Sequence, residues 1–101
     1  MSNENKSVGR LVVDRQTKPN LPTYLKLRND PGRGRWVLLA PERVLTPDQT
    51  AVAVLKLCDG QRTVEEIAET LAKEYSAPVE IIAKDVLDLL QGLADKGYIK
   101  G

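Results

Sequence analysis

Arg35-Trp36-Val37-Leu38-Leu39-Ala40-Pro41-Glu42-Arg43-Val44-Leu45 holds the only tryptophan of the chain and the densest apolar run of its first half. Pro41 has no amide proton to give to a strand ladder, so the stretch reads as two strands, residues 35–40 and a short one at residues 43–45. Val37 and Leu39 alternate with Trp36, Leu38 and Ala40, so neither face of the first strand is plainly polar and both are expected to be partly covered. The far edge of the second strand is the open question.

Upstream, Leu21, Thr23, Leu25 and Leu27 alternate with Tyr24, Lys26 and Arg28, the period of a half-buried strand. Asn29-Asp30-Pro31-Gly32-Arg33-Gly34 then supplies turn formers, which predicts a hairpin into residues 35–40. Residues 1–20 mix Ser, Asn, Lys, Arg and Gln around a few apolar positions, Val8 and Leu11-Val12-Val13. They are expected to form a flexible N-terminal arm ahead of a domain at residues 21–101.

Downstream the pattern turns helical. Thr46-Pro47-Asp48-Gln49 reads as a helix start, with a threonine cap and proline at the first helical position. This first helix is expected to run to about Cys58, turning Ala51, Val52, Val54, Leu55 and Cys58 inward before Asp59-Gly60 stops it. Thr63-Val64-Glu65-Glu66 is a capping-box sequence, followed by Val64, Ile67, Ala68, Leu71 and Tyr75 at helical spacing. Pro78 opens a third helix reaching about Lys96, with Gly97 releasing Tyr98-Ile99-Lys100 as an extended tail. Its apolar arc is about 160° wide, more than the roughly 100° that facing one core requires. Part of it is therefore expected to pack on something else.

One hundred and one residues suit a single domain with a modest core. Residues 1–48 carry 9 basic and 5 acidic side chains and residues 49–101 carry 6 and 9, so the chain is polarised although its net charge is only +1. No apolar run approaches the roughly 18 residues of a membrane span, and the start of the chain lacks a signal-peptide core, so a cytoplasmic protein with no membrane partner is expected. With no histidine and one cysteine, histidine triads, histidine metal sites and thiolate clusters are excluded. No catalytic residue, metal or cofactor is expected.

The motifs that suggest chemistry resolve into structural roles. Gly32-Arg33-Gly34-Arg35-Trp36 lacks the spacing and the lysine of a phosphate loop, and reads as a solvated hairpin turn. Cys58 falls on an inward helix face and reads as a small buried hydrophobe, while Glu65, Glu66 and Glu69 read as a solvated outer face.

Three strands followed by three helices give an α+β fold, a three-stranded antiparallel sheet and a three-helix bundle in a winged helix-turn-helix-like arrangement. That arrangement suggests DNA binding, but the third helix carries Glu80, Asp85, Asp88 and Asp95 against Lys84 and Lys96, which phosphates would repel. No nucleic-acid partner is expected through that helix; a nucleic-acid binder working through the basic hairpin is the alternative. Peptide binding needs neither basic helix nor catalytic group: residues 42–46 offer a strand edge, and the broad third helix offers pockets beside it.

The combination of Gly34-x-Trp36-x-Leu38-Leu39-x-Pro41-Glu42 with Leu57-Cys58-Asp59-Gly60, Thr63-Val64-Glu65-Glu66-Ile67, Leu89-Leu90 and Lys96-Gly97-Tyr98-Ile99 resembles the pyrroloquinoline quinone (PQQ) biosynthesis protein D family, PqqD. The resemblance spans about residues 21–100. It implies a non-catalytic peptide chaperone, a precursor-peptide recognition element that binds the ribosomally made peptide PqqA as an added strand and presents it to the radical S-adenosylmethionine enzyme PqqE. The implied peptide-binding residues are Glu42, Arg43, Val44, Leu45 and Thr46 along the third strand, with Val86, Leu87 and Leu90 expected on the helix. A monomer or weak homodimer is expected, and the same module serving another modified peptide is the nearest alternative.

Overall fold

The structure, a computed structural model, describes residues 11–32 and 34–101. The expectations for residues 1–10 and for Arg33 lie outside the described residues. Three strands, β1 (Lys26–Asp30), β2 (Arg35–Ala40) and β3 (Arg43–Leu45), precede three helices, α1 (Gln49–Lys56), α2 (Val64–Tyr75) and α3 (Val79–Asp95). The sheet is antiparallel in the order β1-β2-β3, which leaves β3 at an edge.

Register explains which side of the sheet is covered. Leu27 pairs with Leu38 and Leu38 with Leu45, so these three share one face, and Leu38 is fully buried there against the helices. Lys26 and Val44 flank Leu39 on the opposite face, where Val44 is exposed. Both faces of β2 are partly covered, as its alternation predicted, and Val37 and Leu38 are both buried. The turn from β2 to β3 is only Pro41-Glu42, and Glu42 takes a left-handed conformation with φ 63 to close it.

The first strand departs from its expected limits. Residues 21–25 alternate like a strand but do not form one: Leu25 donates to the Pro22 carbonyl at 3.0 Å in a turn, and Leu25 is buried as a core residue from that turn. The ladder starts at Lys26 and includes Asn29 and Asp30, which had the composition of the turn that follows.

The helix starts are set by side-chain caps. At α1 the cap is Asp48, two residues beyond the expected Thr46, and its carboxylate accepts from the Ala51 amide at 2.8 Å. A carboxylate is a stronger acceptor than a hydroxyl at the positive helix end, which favours Asp48. At α2 all four orphan amides find partners. The Thr63 amide donates to Glu66 Oε1 at 2.8 Å and the Glu66 amide to Thr63 Oγ1 at 3.1 Å, the expected capping box. Val64 and Glu65 donate to the carbonyls of Thr17 and Arg15, at 2.9 and 3.0 Å.

Those last two bonds correct the expectation of a free arm for residues 11–20. This segment is a strap laid against α2 and α3. Gln91 holds it by accepting from the Val13 amide at 2.8 Å and donating to the Leu11 carbonyl at 2.9 Å. Val13 joins the core, and Pro19 is fully buried. Arg15 reaches both Glu65, at 2.9 Å, and Glu80, so Glu65 is paired rather than merely solvated. At the end of the strap Asn20 exchanges both backbone bonds with Lys100, at 2.8 and 2.9 Å. The Gly60 amide closes the same corner on the Pro19 carbonyl at 3.0 Å. Gly60 sits at φ +78 with the Asn20 side chain 3.4 Å from where a Cβ would stand, so glycine is needed there.

The core joins Leu38 of the sheet to Val54, Val64, Ile67, Leu71 and Leu90 of the helices. Tyr75, expected inward, lies 47 % exposed at the last turn of α2, where Ser76 adopts a left-handed cap.

Candidate peptide-binding site

β3 returns from its tight turn with one side laddered to β2 and the other at the edge of the sheet, where backbone groups not used by the ladder face outward. Of the five strand positions expected to meet a peptide, Glu42, Arg43, Val44 and Thr46 are exposed, while Leu45 is half-buried and packs on the core. Three residues beyond Leu45, the chain reaches a cleft of about 140 Å³ between the start of α1, the end of α2 and the middle of α3. Asp48, Ala51 and Val54 line it from α1 and its cap, Leu71 and Tyr75 from α2. The α3 wall is Ile82, Asp85, Val86 and Leu89.

The helix register differs from the expected one. Val86 forms part of the cleft wall although only 2 % exposed, and Leu90 is fully buried in the core, with no side-chain surface to offer. Leu87 lies on the strap side, between Glu80 and Gln91 at helical spacing, the two α3 residues that hold the strap. Ile82, Asp85 and Leu89 line the cleft and were not among the helix positions expected to meet a peptide. Their signal was present in the 3.6-residue period, but choosing among the stripes of so broad an arc requires knowing which stripe the strap covers.

A wider, shallower depression of about 860 Å³ lies between the hairpin turn and α1 and α2, with Arg35, Trp36, Lys56 and Tyr75 along it. Lys56 Nζ sits 4.2 Å from the centre of the Trp36 ring, so a cation already occupies that aromatic face. Trp36 is thereby a sheet-face ring braced by Lys56 of α1.

Cys58 and Asp59 have structural explanations. Burial pushes the Cys58 thiol up to about 12, with the Asp59 carboxylate adding to the effect, and its sulfur donates to the Val54 carbonyl at 3.3 Å. A thiol so held is no nucleophile at neutral pH. The Asp59 carboxyl is held below its ordinary value by the amide of Gln61 first and that of Arg62 next, which shapes the turn into α2. Among the described residues no group of three or more histidines, cysteines or carboxylates could hold a metal ion. No described helix is long and apolar enough to cross a membrane.

An edge strand leading into an apolar cleft, with no reactive group in either, is equipped to hold a peptide. The family model described as coenzyme PQQ synthesis protein D (PqqD) matches residues 35–99, which include the whole of β2, β3 and the three helices. The chain belongs to the PqqD family. A protein named PqqA binding protein from Rhodopseudomonas palustris (strain HaA2) is 54% identical over 89 residues, covering 88% of this chain and 87% of that one. The solution structure of the PqqD part of Methylobacterium extorquens PqqCD superposes with a TM-score of 0.72 at 48% identity, covering 82% of this chain and 88% of that one. That domain is described as a functional, stand-alone recognition element for a ribosomally synthesised and post-translationally modified peptide. The crystal structure of PqqD from Xanthomonas campestris matches with a TM-score of 0.54 at 39% identity, covering 84% and 94%. The three-stranded antiparallel sheet followed by three helices is thus the architecture of the PqqD family.

Proposed function

We propose that this PqqD-family chain is a non-catalytic recognition module of PQQ biosynthesis. It binds the precursor peptide PqqA in the cytoplasm, as a strand added to β3, and presents it to the radical S-adenosylmethionine enzyme PqqE. The observation that carries this reading is an edge strand followed closely in the chain by a cleft: Arg43 to Leu45 offers backbone pairing, and Asp48, three residues on, lines a cleft that offers a seat for a side chain of the added strand. Pairing supplies affinity with little regard to sequence, and the cleft supplies choice. The name of the Rhodopseudomonas relative and the description of the Methylobacterium domain support the peptide and the mode of use.

The binding residues on this reading are Glu42, Arg43, Val44, Leu45 and Thr46 with Ile82, Asp85, Val86 and Leu89 of α3. Titrating isotope-labelled protein with PqqA while following backbone amides tests it. Shifts are expected to concentrate on Arg43, Val44 and Leu45 and on the cleft side of α3. Shifts confined to β1, or to the strap side of α3 around Leu87 and Gln91, would place the peptide elsewhere. Adding PqqE to the complex should broaden the signals of both proteins together, and an unchanged spectrum would remove the presenting role.

A further inference from the structure

The cleft is too small for a drug-sized molecule, for which volumes of about 300 Å³ or more are usual, and suits one long side chain. Its walls are apolar: Ala51, Val54, Leu71, Ile82, Val86 and Leu89. Its charged lining residues are both carboxylates, Asp48 and Asp85, and no basic residue lines it. Asp48 already accepts from the Ala51 amide as the cap of α1. Asp85 is exposed and makes no hydrogen bond or ion pair with any described residue. An unpartnered carboxylate at the mouth of an apolar slot is matched by one kind of side chain, a hydrocarbon stem that ends in a positive charge.

We infer that the cleft is a subsite for a lysine or arginine of the bound peptide, its stem against Ile82, Val86 and Leu89 and its charge at Asp85. The inference rests on the reading of the chain as a peptide binder and adds what the peptide must carry. The wider field points the same way. Residues 64–95, which make up α2, its link and α3, hold eight acidic and two basic side chains, so a cation approaches this wall favourably and a carboxylate is turned away. Delivery rests on proximity in the chain: β3 ends at Leu45, three residues or at most about 11 Å before Asp48 of the cleft lining, and side chains along an added strand alternate between faces, so every second one is presented to the helix side. Wholly apolar side chains would fill the slot but leave Asp85 partly desolvated without a partner.

The test is a coupling experiment with PqqA as the probe. Its lysines and arginines are replaced one at a time by norleucine, which keeps the stem and removes the charge. Each peptide is titrated calorimetrically against the wild-type chain and against Asp85→Asn, Asp85→Lys and the control Asp88→Asn, whose residue is exposed on α3 outside the cleft. Asp85→Asn should weaken binding about three- to fivefold at low salt and hardly at all in 1 M salt, as for a partly exposed ion pair. Asp85→Lys should weaken it about tenfold or more, and Asp88→Asn less than about twofold. One norleucine peptide should lose on the wild-type chain the factor that Asp85→Asn loses with PqqA, and lose nothing further on Asp85→Asn. If every norleucine peptide loses equally on both proteins, or if Asp88→Asn matches Asp85→Asn, the subsite is wrong while peptide binding stands. If the wild-type chain does not bind PqqA, the subsite and the peptide-binding reading fall together.

Discussion

Replacing Val13 by alanine separates a strap from an arm. Val13 is 8 % exposed and contacts the core, whereas its neighbour Val12 is 58 % exposed. Val→Ala removes two methyl groups; at about 0.8 kcal/mol for each buried methylene-sized group the transfer loss is about 1.6 kcal/mol. Incomplete closure of the space raises it to about 2 kcal/mol. For a domain of this size about 1 kcal/mol moves the melting temperature by about 4–8 °C, so Val13→Ala should melt about 8–16 °C lower. Val12→Ala, at a largely solvated position, should change stability by less than about 0.5 kcal/mol. Thermal unfolding followed by circular dichroism measures both. Hydrogen exchange adds location, since the amides of Val64, Glu65 and Gly60 are bonded to carbonyls of Thr17, Arg15 and Pro19. Those three should gain more in exchange rate in Val13→Ala than the amides inside α2 do. Equal melting of the two variants, within about 2 °C of the wild type, would refute the packed strap.

Three further outcomes follow from particular side chains. Val44→Lys falls on an exposed edge position, so it should leave the melting temperature within about 2 °C and weaken PqqA binding, whereas Leu90→Lys puts a charge at a fully buried site and should fail to fold; calorimetry and circular dichroism distinguish the two. With its thiol pushed to about 12, Cys58 should react with a disulfide reagent at pH 8 about a thousandfold more slowly in the folded protein than in denaturant, where its value returns to about 8.5. The carboxyl of Asp59 is lowered by folding, so its contribution is present above the ordinary value of about 3.9 and is lost as pH falls through the lower folded value; the gap in melting temperature between wild type and Asp59→Asn should be open at pH 7 and close in acid.

What could be read from the sequence was what neighbouring residues decide among themselves. The Thr63 and Glu66 capping box and the Pro41 break each depend on a few adjacent positions, and each stands where the sequence placed it, whereas α1 ends at Lys56 with Leu57 as its cap, short of the stop expected at Gly60. The misplacements also have local causes. Thr46 and Asp48 are both competent caps, and only the observed bond to Ala51 chooses between them. Leu21, Thr23, Leu25 and Leu27 satisfy a strand period, but the turn at Pro22 buries Leu25 just as well, so alternation did not distinguish a strand from a turn that precedes one. The strap was illegible for a different reason. Val13 meets Gln91 across 78 residues and Arg15 meets Glu65 across 50, and a polar segment gives no periodic sign that its few apolar residues have a distant seat.

The strap also resolves the excess width of α3. Around that helix, Leu87, Gln91 and Glu80 fall on one flank, Ala83 and Leu90 point into the core, and Ile82, Asp85 and Leu89 fall on the other flank. An arc of about 160° is what a helix needs if it meets a core and has a neighbour on each side. On the first flank the neighbour is the chain's own residues 11–15, tied down through Gln91 and Arg15. On the second flank the slot is shaped by Tyr75 and the α1 cap but stays open, and its α3 rim carries Asp85. An apolar flank left open would invite unselective association, whereas a carboxylate on its rim raises the cost of burying it under anything without a positive charge. The acid that makes α3 a poor reader of DNA is, on this view, what makes its open flank selective for one peptide side chain.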